Sequence, residues 1–261
     1  MAIGRKRKVS ETESAGFQVL KVSQLVAEAL RKRIALGIIK DGDLLPPEPD
    51  LIEEFGVSRP TLREAIRILE TEGLVTTTRG GRKGAQVHYP TPLQSARHAG
   101  LALQLRGATI SDIFELASIL VPPAARIVAE MMPPPDLSAL EDIYAALEEE
   151  QDRPREIARL LRRFNVTLCA LAGNEAITLV SQMMAELIEL QIETIPASTT
   201  ELPRENVEDM APSLQRLGIV MQALRDHDGP RAEALLAARL RQIQQHHRRV
   251  ESQAIPFRMI A

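Results

Sequence analysis

The sequence predicts a mainly α protein in two parts, an N-terminal winged helix-turn-helix followed by an all-α antiparallel helical bundle. Three observations predict it. Residues 21–88 carry three helix-period segments and then two short β-like runs around a basic, glycine-rich turn. From Thr91 onward the apolar residues keep helical spacing and no credible strand occurs. Charge divides near the same place: residues 1–89 hold 15 Lys and Arg against 12 Asp and Glu, the remainder holds 17 against 23, and every lysine lies in the first part.

The elements of the first part follow in order. Ser23 to Leu36 is periodic through Leu25, Val26, Ala29, Leu30 and Ile34 and is stopped by Gly37. Ile39 to Pro47 is a turn-rich connector into a short helix from Glu48 to Glu54. Phe55-Gly56-Val57 then makes a tight turn, with the glycine supplying the backbone freedom it requires. In the third helix Ser58 caps the first turn, and Pro60 is tolerated because the first amides of a helix have no internal partner. Leu62, Ala65, Ile66 and Leu69 form its buried stripe and leave Arg59, Thr61 and Arg63 near its start. Arginines there can fork onto guanine edges or phosphates, and a threonine hydroxyl can meet a base or the backbone. Leu74 to Thr78 and Ala85 to His88 flank Arg79-Gly80-Gly81-Arg82-Lys83-Gly84 as a hairpin with a basic tip. The preceding residues 1–20 form a basic tail through Gly4-Arg5-Lys6-Arg7-Lys8, which either touches phosphates or is simply solvated.

In the second part, residues 91–261, helices are predicted at about 93–106, 111–132, 136–151, 155–172, 175–195, 212–226 and 230–251. Pro133-Pro134-Pro135 stops one and Asp136 caps the next; Gly173-Asn174 and Asp228-Gly229-Pro230 close and reopen two more pairs. Residues 196–211, polar and proline-containing, are read as a loop. Such an array can keep a ligand cavity between facing helices.

Composition bounds the function. A single cysteine, Cys169, excludes an internal disulfide, and no run of about 18 apolar residues suggests a membrane span. Met1 to Lys8 has no apolar stretch after it and is not a secretory signal, so cytoplasmic residence is expected. The helical part offers no clustered nucleophile and base, no histidine near Cys169 and no glycine-rich phosphate loop in a strand-to-helix unit, which argues against an enzyme.

Residues 21–88 resemble the DNA-binding domain of the GntR family of bacterial transcription regulators. The matching text is Leu44-Leu45-Pro46, the run from Phe55 to Ala65, and Glu72-Gly73-Leu74-Val75. The resemblance implies DNA contacts by Ser58, Arg59, Thr61 and Arg63 on the third helix and by Arg79 and Gly80 in the wing. One departure stands out: where the family usually places an arginine after the glutamate of the second helix, this chain has Pro49.

The helical part is similar to the FCD effector-binding domain of the FadR branch of that family, through Leu120 to Ala125, Phe164-Asn165, Leu171 to Asn174, and Ala223-Leu224 with Asp228 and Ala232. Many FCD domains hold a divalent metal, and the corresponding positions here are Leu161, Asn165, Leu217 and Arg239. None is a usual zinc ligand, so no metal and no cofactor is expected. The family's usual arginine and glutamate on the helix beginning near Asp112 align with Ala117 and Val121, which makes the pocket apolar and favours a bulkier effector, an acyl-CoA or another hydrophobic carboxylate.

The same positions face inward on periodicity alone. Arg239 lies in a stripe with Leu236, Leu240 and Ile243. A buried guanidinium needs a carboxylate, carbonyls or a bound anion, so Arg239 either anchors an acidic ligand, closes an internal ion pair or reaches to water. Asn165 is either a ligand contact or a satisfied core amide.

The expected protein is a homodimeric transcription regulator, a repressor that reads a palindromic operator in double-stranded DNA and is released by a small-molecule effector. The alternatives are a metal-independent architectural DNA-binding protein without a ligand, and an enzyme using the helical-domain cavity.

Overall fold

The computed structural model describes residues 21–77, 84–150, 153–193 and 210–250. The chain divides into two compact units between Pro90 and Thr91.

The first unit holds α1 (Val22–Ala35), α2 (Glu48–Phe55), α3 (Arg59–Thr71), β1 (Val75–Thr77) and β2 (Ala85–Val87). Helices α1 and α2 both pack on α3, and the core between them and the strands is built from Leu30, Leu51, Leu62, Leu69 and Val87, all fully buried. The α2–α3 turn works as expected: Gly56 adopts φ 62°, a left-handed conformation that costs glycine nothing. Strands β1 and β2 pair antiparallel with Val75 opposite Val87 and Thr77 opposite Ala85.

The connector before α2 is more than a turn. Leu44 bridges to Gln86, the Leu45 amide donates to the Ala85 carbonyl at 2.8 Å, and the Val87 amide donates to the Asp43 carbonyl at 2.8 Å. It therefore lies along β2 as a third, strand-like segment, with Leu45 buried and Leu44 exposed. Two alternating residues are too few to show as a strand period in sequence.

The second unit holds α4 (Pro92–Leu105), α5 (Ile110–Glu130), α6 (Ser138–Glu149), α7 (Pro154–Leu171), α8 (Glu175–Glu193), α9 (Met210–Arg225) and α10 (Gly229–Val250). Helix α5 is the hub: it packs against α7, α8, α9 and most extensively α10. Its Ile113, Ala117, Val121, Ala124 and Val128 are buried on one face, and Leu116, Ile119 and Ile127 are exposed on the other. Thr109 caps it in a box with Asp112. Pro122 and Pro123 sit inside it, so the carbonyls of Ser118 and Ile119 have no amide donor one turn ahead.

The helix breaks fall near their predicted places. Asp136 Oδ1 accepts the Ser138 amide at 2.9 Å, but Leu137 stands at the N-cap, so α6 begins two residues later than expected. Asn174 Oδ1 accepts the amides of Ala176 and Ile177, and Asp228 Oδ1 accepts that of Arg231. Most of the predicted 196–211 loop lies outside the described residues, and α9 starts within it at Met210. None of the helices in the described residues is long and apolar enough to cross a membrane.

Gly218 shows how closely α9 approaches α6. A Cβ there would lie 2.5 Å from the Tyr144 hydroxyl oxygen and 3.2 Å from the ring carbon bearing it. Glycine inside a helix costs about 1 kcal/mol relative to alanine, so its presence here is explained by space rather than propensity. Gly218→Ala is expected to lower stability by about 1–2 kcal/mol, overpacking outweighing the helix gain. In Tyr144→Phe the same substitution should cost less, and a double-mutant cycle by urea unfolding checks it: additive effects would mean that the hydroxyl is not the obstacle.

Candidate functional site

Helix α3 begins as its sequence requires. Ser58 is the N-cap, with extended backbone; its Oγ accepts the Thr61 amide at 3.4 Å and lies 2.8 Å from Thr61 Oγ1. Leu62, Ala65, Ile66 and Leu69 are buried against α1 and α2, which turns the opposite face outward. On that face the Arg59 and Arg63 side chains are 61% and 65% exposed. Thr61 is half-buried and its hydroxyl is engaged with the cap, so Ser58 and Thr61 act as a hydrogen-bonded pair rather than as two free hydroxyls. Arg67, one turn further along, is also exposed and lies 3.6 Å from Glu64. Arg79 and Gly80, assigned to the wing, lie outside the described residues.

One contributor was missed from sequence. Glu48, the first residue of α2, places Oε2 3.7 Å from Arg59 Nε and Oε1 3.6 Å from Arg63 Nε. Its position ahead of Pro49 in the first turn of α2 was the only signal, and periodicity says nothing of contacts across a turn.

The second set of residues lies in the helical unit. Ala117, Val121 and Leu217 belong to one buried apolar cluster, and Leu161 packs against it while remaining partly accessible. Arg239, 2% exposed, stands on α10 between the buried Leu236 and Leu240, and α10 packs on both α5 and α9. Burial pulls its pKa down to about 10, which leaves it charged at neutral pH. It takes part in the chain's own interactions. Asn165 is partly buried, and its Oδ1 is shielded from solvent and accepts no hydrogen bond among the described residues.

Sequence reasoning also missed a polar seam between α7 and α8. Arg159 and Arg162 both pair with Glu189, Arg159 at 3.0 Å. Burial lowers the Arg162 pKa despite that carboxylate. On Glu189, burial pushes upward but the two arginines outweigh it and hold the carboxyl below its usual range.

The four positions where FCD domains often ligate metal do not suit a divalent cation here. Leu161 and Leu217 have no donor atom, and Arg239 is itself a cation. Among the described residues no three His, Cys, Asp or Glu gather in a metal-holding group. Cys169 is fully buried; burial pushes its thiol up to about 11, partly opposed by a hydrogen bond with Ser181, so it stays protonated.

Residues 22–85 match the family model described as bacterial regulatory proteins, gntR family, and residues 112–250, more than half of the chain, match that of the FCD domain. The chain belongs to the GntR family. It is a GntR-family transcription regulator with a DNA-binding helix-turn-helix and an FCD effector-binding domain, and its relatives are regulators, not enzymes. The Glc operon transcriptional activator of Escherichia coli is 24% identical over 219 residues, covering 79% of this chain and 85% of that protein. The HTH-type transcriptional regulator GgaR of Escherichia coli is 39% identical over 83 residues, covering 31% of this chain and 33% of its own length. Among solved structures, Streptococcus agalactiae GntR superposes with a TM-score of 0.61 at 21% identity, covering 85% of this chain and 99% of that one. That likeness concerns the fold. Within this GntR-family chain, α3 is the second helix of the helix-turn-helix, and Ala117, Val121, Leu161, Asn165, Leu217 and Arg239 all fall in the FCD match.

Proposed function

We propose that this regulator is a cytoplasmic homodimer of the FadR branch that represses transcription from a palindromic operator and is released by an acidic, largely apolar effector. The observation that carries the DNA reading is α3 itself: a capped helix whose buried stripe fixes its roll and leaves Arg59 and Arg63 exposed at its start. Ser58, Arg59, Thr61 and Arg63, with Arg79 and Gly80 of the wing, make the DNA contacts in this proposal. Selection from a random-sequence duplex library by the full chain tests it; a motif with two related half-sites supports it, and enrichment of no motif removes it.

The effector reading is supported by Arg239, a buried cation whose neighbours on α10 are the buried Leu236 and Leu240. Arg239 would bind the acid or phosphate end, Asn165 Oδ1 would accept a hydrogen bond, and Ala117, Val121, Leu161 and Leu217 would contact the apolar body. An acyl-CoA or a hydrophobic carboxylate has that combination. Effector binding acts by favouring a dimer geometry that no longer fits both half-sites, with leverage limited to its differential affinity for the two states. The E. coli Glc operon protein is an activator by name, so the sign of regulation is checked by in vitro transcription.

The outer face of α5 supports self-association. Leu116, Ile119 and Ile127 recur along one stripe and are 41%, 65% and 42% exposed. Ile119→Arg, which places a charge in the middle of that stripe, is expected to convert a dimer into the 28.8 kDa monomer in sedimentation velocity without loss of helicity. A dimer that survives the change would move the interface elsewhere.

A further inference from the structure

The Glu48 carboxylate faces two arginines at once, one oxygen to each. Arg59 and Arg63 are one turn apart on α3, so their like charges repel, and they stand at the positive end of a helix whose first turn contains no acidic residue. Glu48 supplies the missing counter-charge from the other helix of the motif, and Pro49 beside it brings no competing cation. In both pairs the nitrogen nearest the carboxylate is Nε, at 3.7 Å and 3.6 Å. The Nη groups, which carry four of the five guanidinium donors, remain for another acceptor.

We infer that Glu48 is a positioning residue that sets DNA sequence discrimination by orienting the Arg59 and Arg63 guanidiniums toward base edges while opposing contact with phosphate alone. This inference rests on the DNA-reading role proposed above for α3. An exposed ion pair is worth no more than a few-fold in an equilibrium constant, whereas a bidentate arginine–guanine contact discriminates by roughly five- to hundredfold. The carboxylate therefore does not prevent base reading. It does weaken binding driven by charge, because it adds a negative group beside the phosphates and reduces the counter-ion release that each arginine can drive. Specificity, a difference of two affinities, rises on both counts.

The test uses full-length chains, a duplex selected by the wild type from a random library, and a scrambled duplex of the same composition, read by fluorescence anisotropy. Glu48→Gln is expected to lower the selected-to-scrambled affinity ratio by about three- to fivefold, chiefly through tighter and more salt-sensitive binding of the scrambled duplex. Glu53→Gln removes the same charge from an exposed position of α2 and should keep the ratio. Glu48→Asp keeps the charge on a shorter arm; it should leave scrambled binding at the wild-type level and lose part of the preference. An unchanged ratio in Glu48→Gln, or an equal fall in Glu53→Gln, overturns the inference while leaving the α3 contacts standing. A wild type that selects no motif overturns the α3 reading itself, and this inference with it.

Discussion

Replacing Arg59 and Arg63 together with alanine is expected to weaken operator binding by about 2–6 kcal/mol, because each bidentate contact with a guanine edge is worth roughly 1–3 kcal/mol. The single change Arg63→Ala should account for about 1–3 kcal/mol of that and relax the preference at one position of each half-site. Both side chains are mostly exposed, and among the described residues their ion pairs are with Glu48, so the change should leave thermal stability within about 0.5 kcal/mol of wild type. The measurement is anisotropy of a labelled operator across a salt series, since part of the loss is electrostatic and shrinks as salt rises. Operator affinity unchanged in the double variant would remove α3 from the DNA interface.

The second large effect concerns Arg239. Keeping that guanidinium charged in the core is costly, because burial pulls its pKa below the ordinary arginine range to about 10. The sign follows from linkage. The unfolded chain holds this proton more tightly than the folded one, so the group's unfavourable contribution is fully present below about pH 10 and is relieved as pH rises above it. Arg239→Met removes the charge and keeps much of the volume. The variant is expected to fold, dimerise and bind operator, yet to need at least tenfold more of a long-chain acyl-CoA or hydrophobic acid to release it. If the guanidinium instead completes an internal ion pair, the same change strands a buried carboxylate and lowers stability by about 3–5 kcal/mol. Denaturant unfolding beside the release assay separates the two, and either a large loss of stability or a normal effector response rules out the anchoring role.

Legibility in the sequence depended on how local each feature is. The start and roll of α3 are written in consecutive residues, a capping serine, a proline and a stripe of four apolar residues, and the structure reproduces all of them. The inward face carrying Arg239 was readable for the same reason, since Leu236 and Leu240 bracket it on one helix. Contacts between elements were not. Glu48 meets Arg59 and Arg63 only because the Gly56 turn folds α2 back on α3, Gly218 meets Tyr144 across 74 positions, and Asp43 to Leu45 pair with a strand 40 to 44 residues away. Periodicity orients a residue on its own helix and carries no information about what a neighbouring helix presents to it. The polar seam of Arg159, Arg162 and Glu189 escaped for that reason too: in sequence these are ordinary helix-surface charges, and only the packing of α8 on α7 buries Arg162.

The proline pair within α5 has a consequence for cooperativity. A helix normally opens and closes as one unit because each hydrogen bond holds the next residue in place, but two adjacent missing amides interrupt that chain at Pro122 and Pro123. The segments on either side, Ile110–Val121 and Pro122–Glu130, are each no longer than the length at which an isolated helix is marginal in water. Each half therefore depends more on its own neighbours than it would in an uninterrupted helix. Ala117 and Val121 lie in the first segment together with Leu116 and Ile119, whereas Ile127 lies in the second. A perturbation felt at the inner face of the first segment reaches Ile119 through a fully bonded backbone, and reaches Ile127 across a stretch that has lost two of its backbone hydrogen bonds.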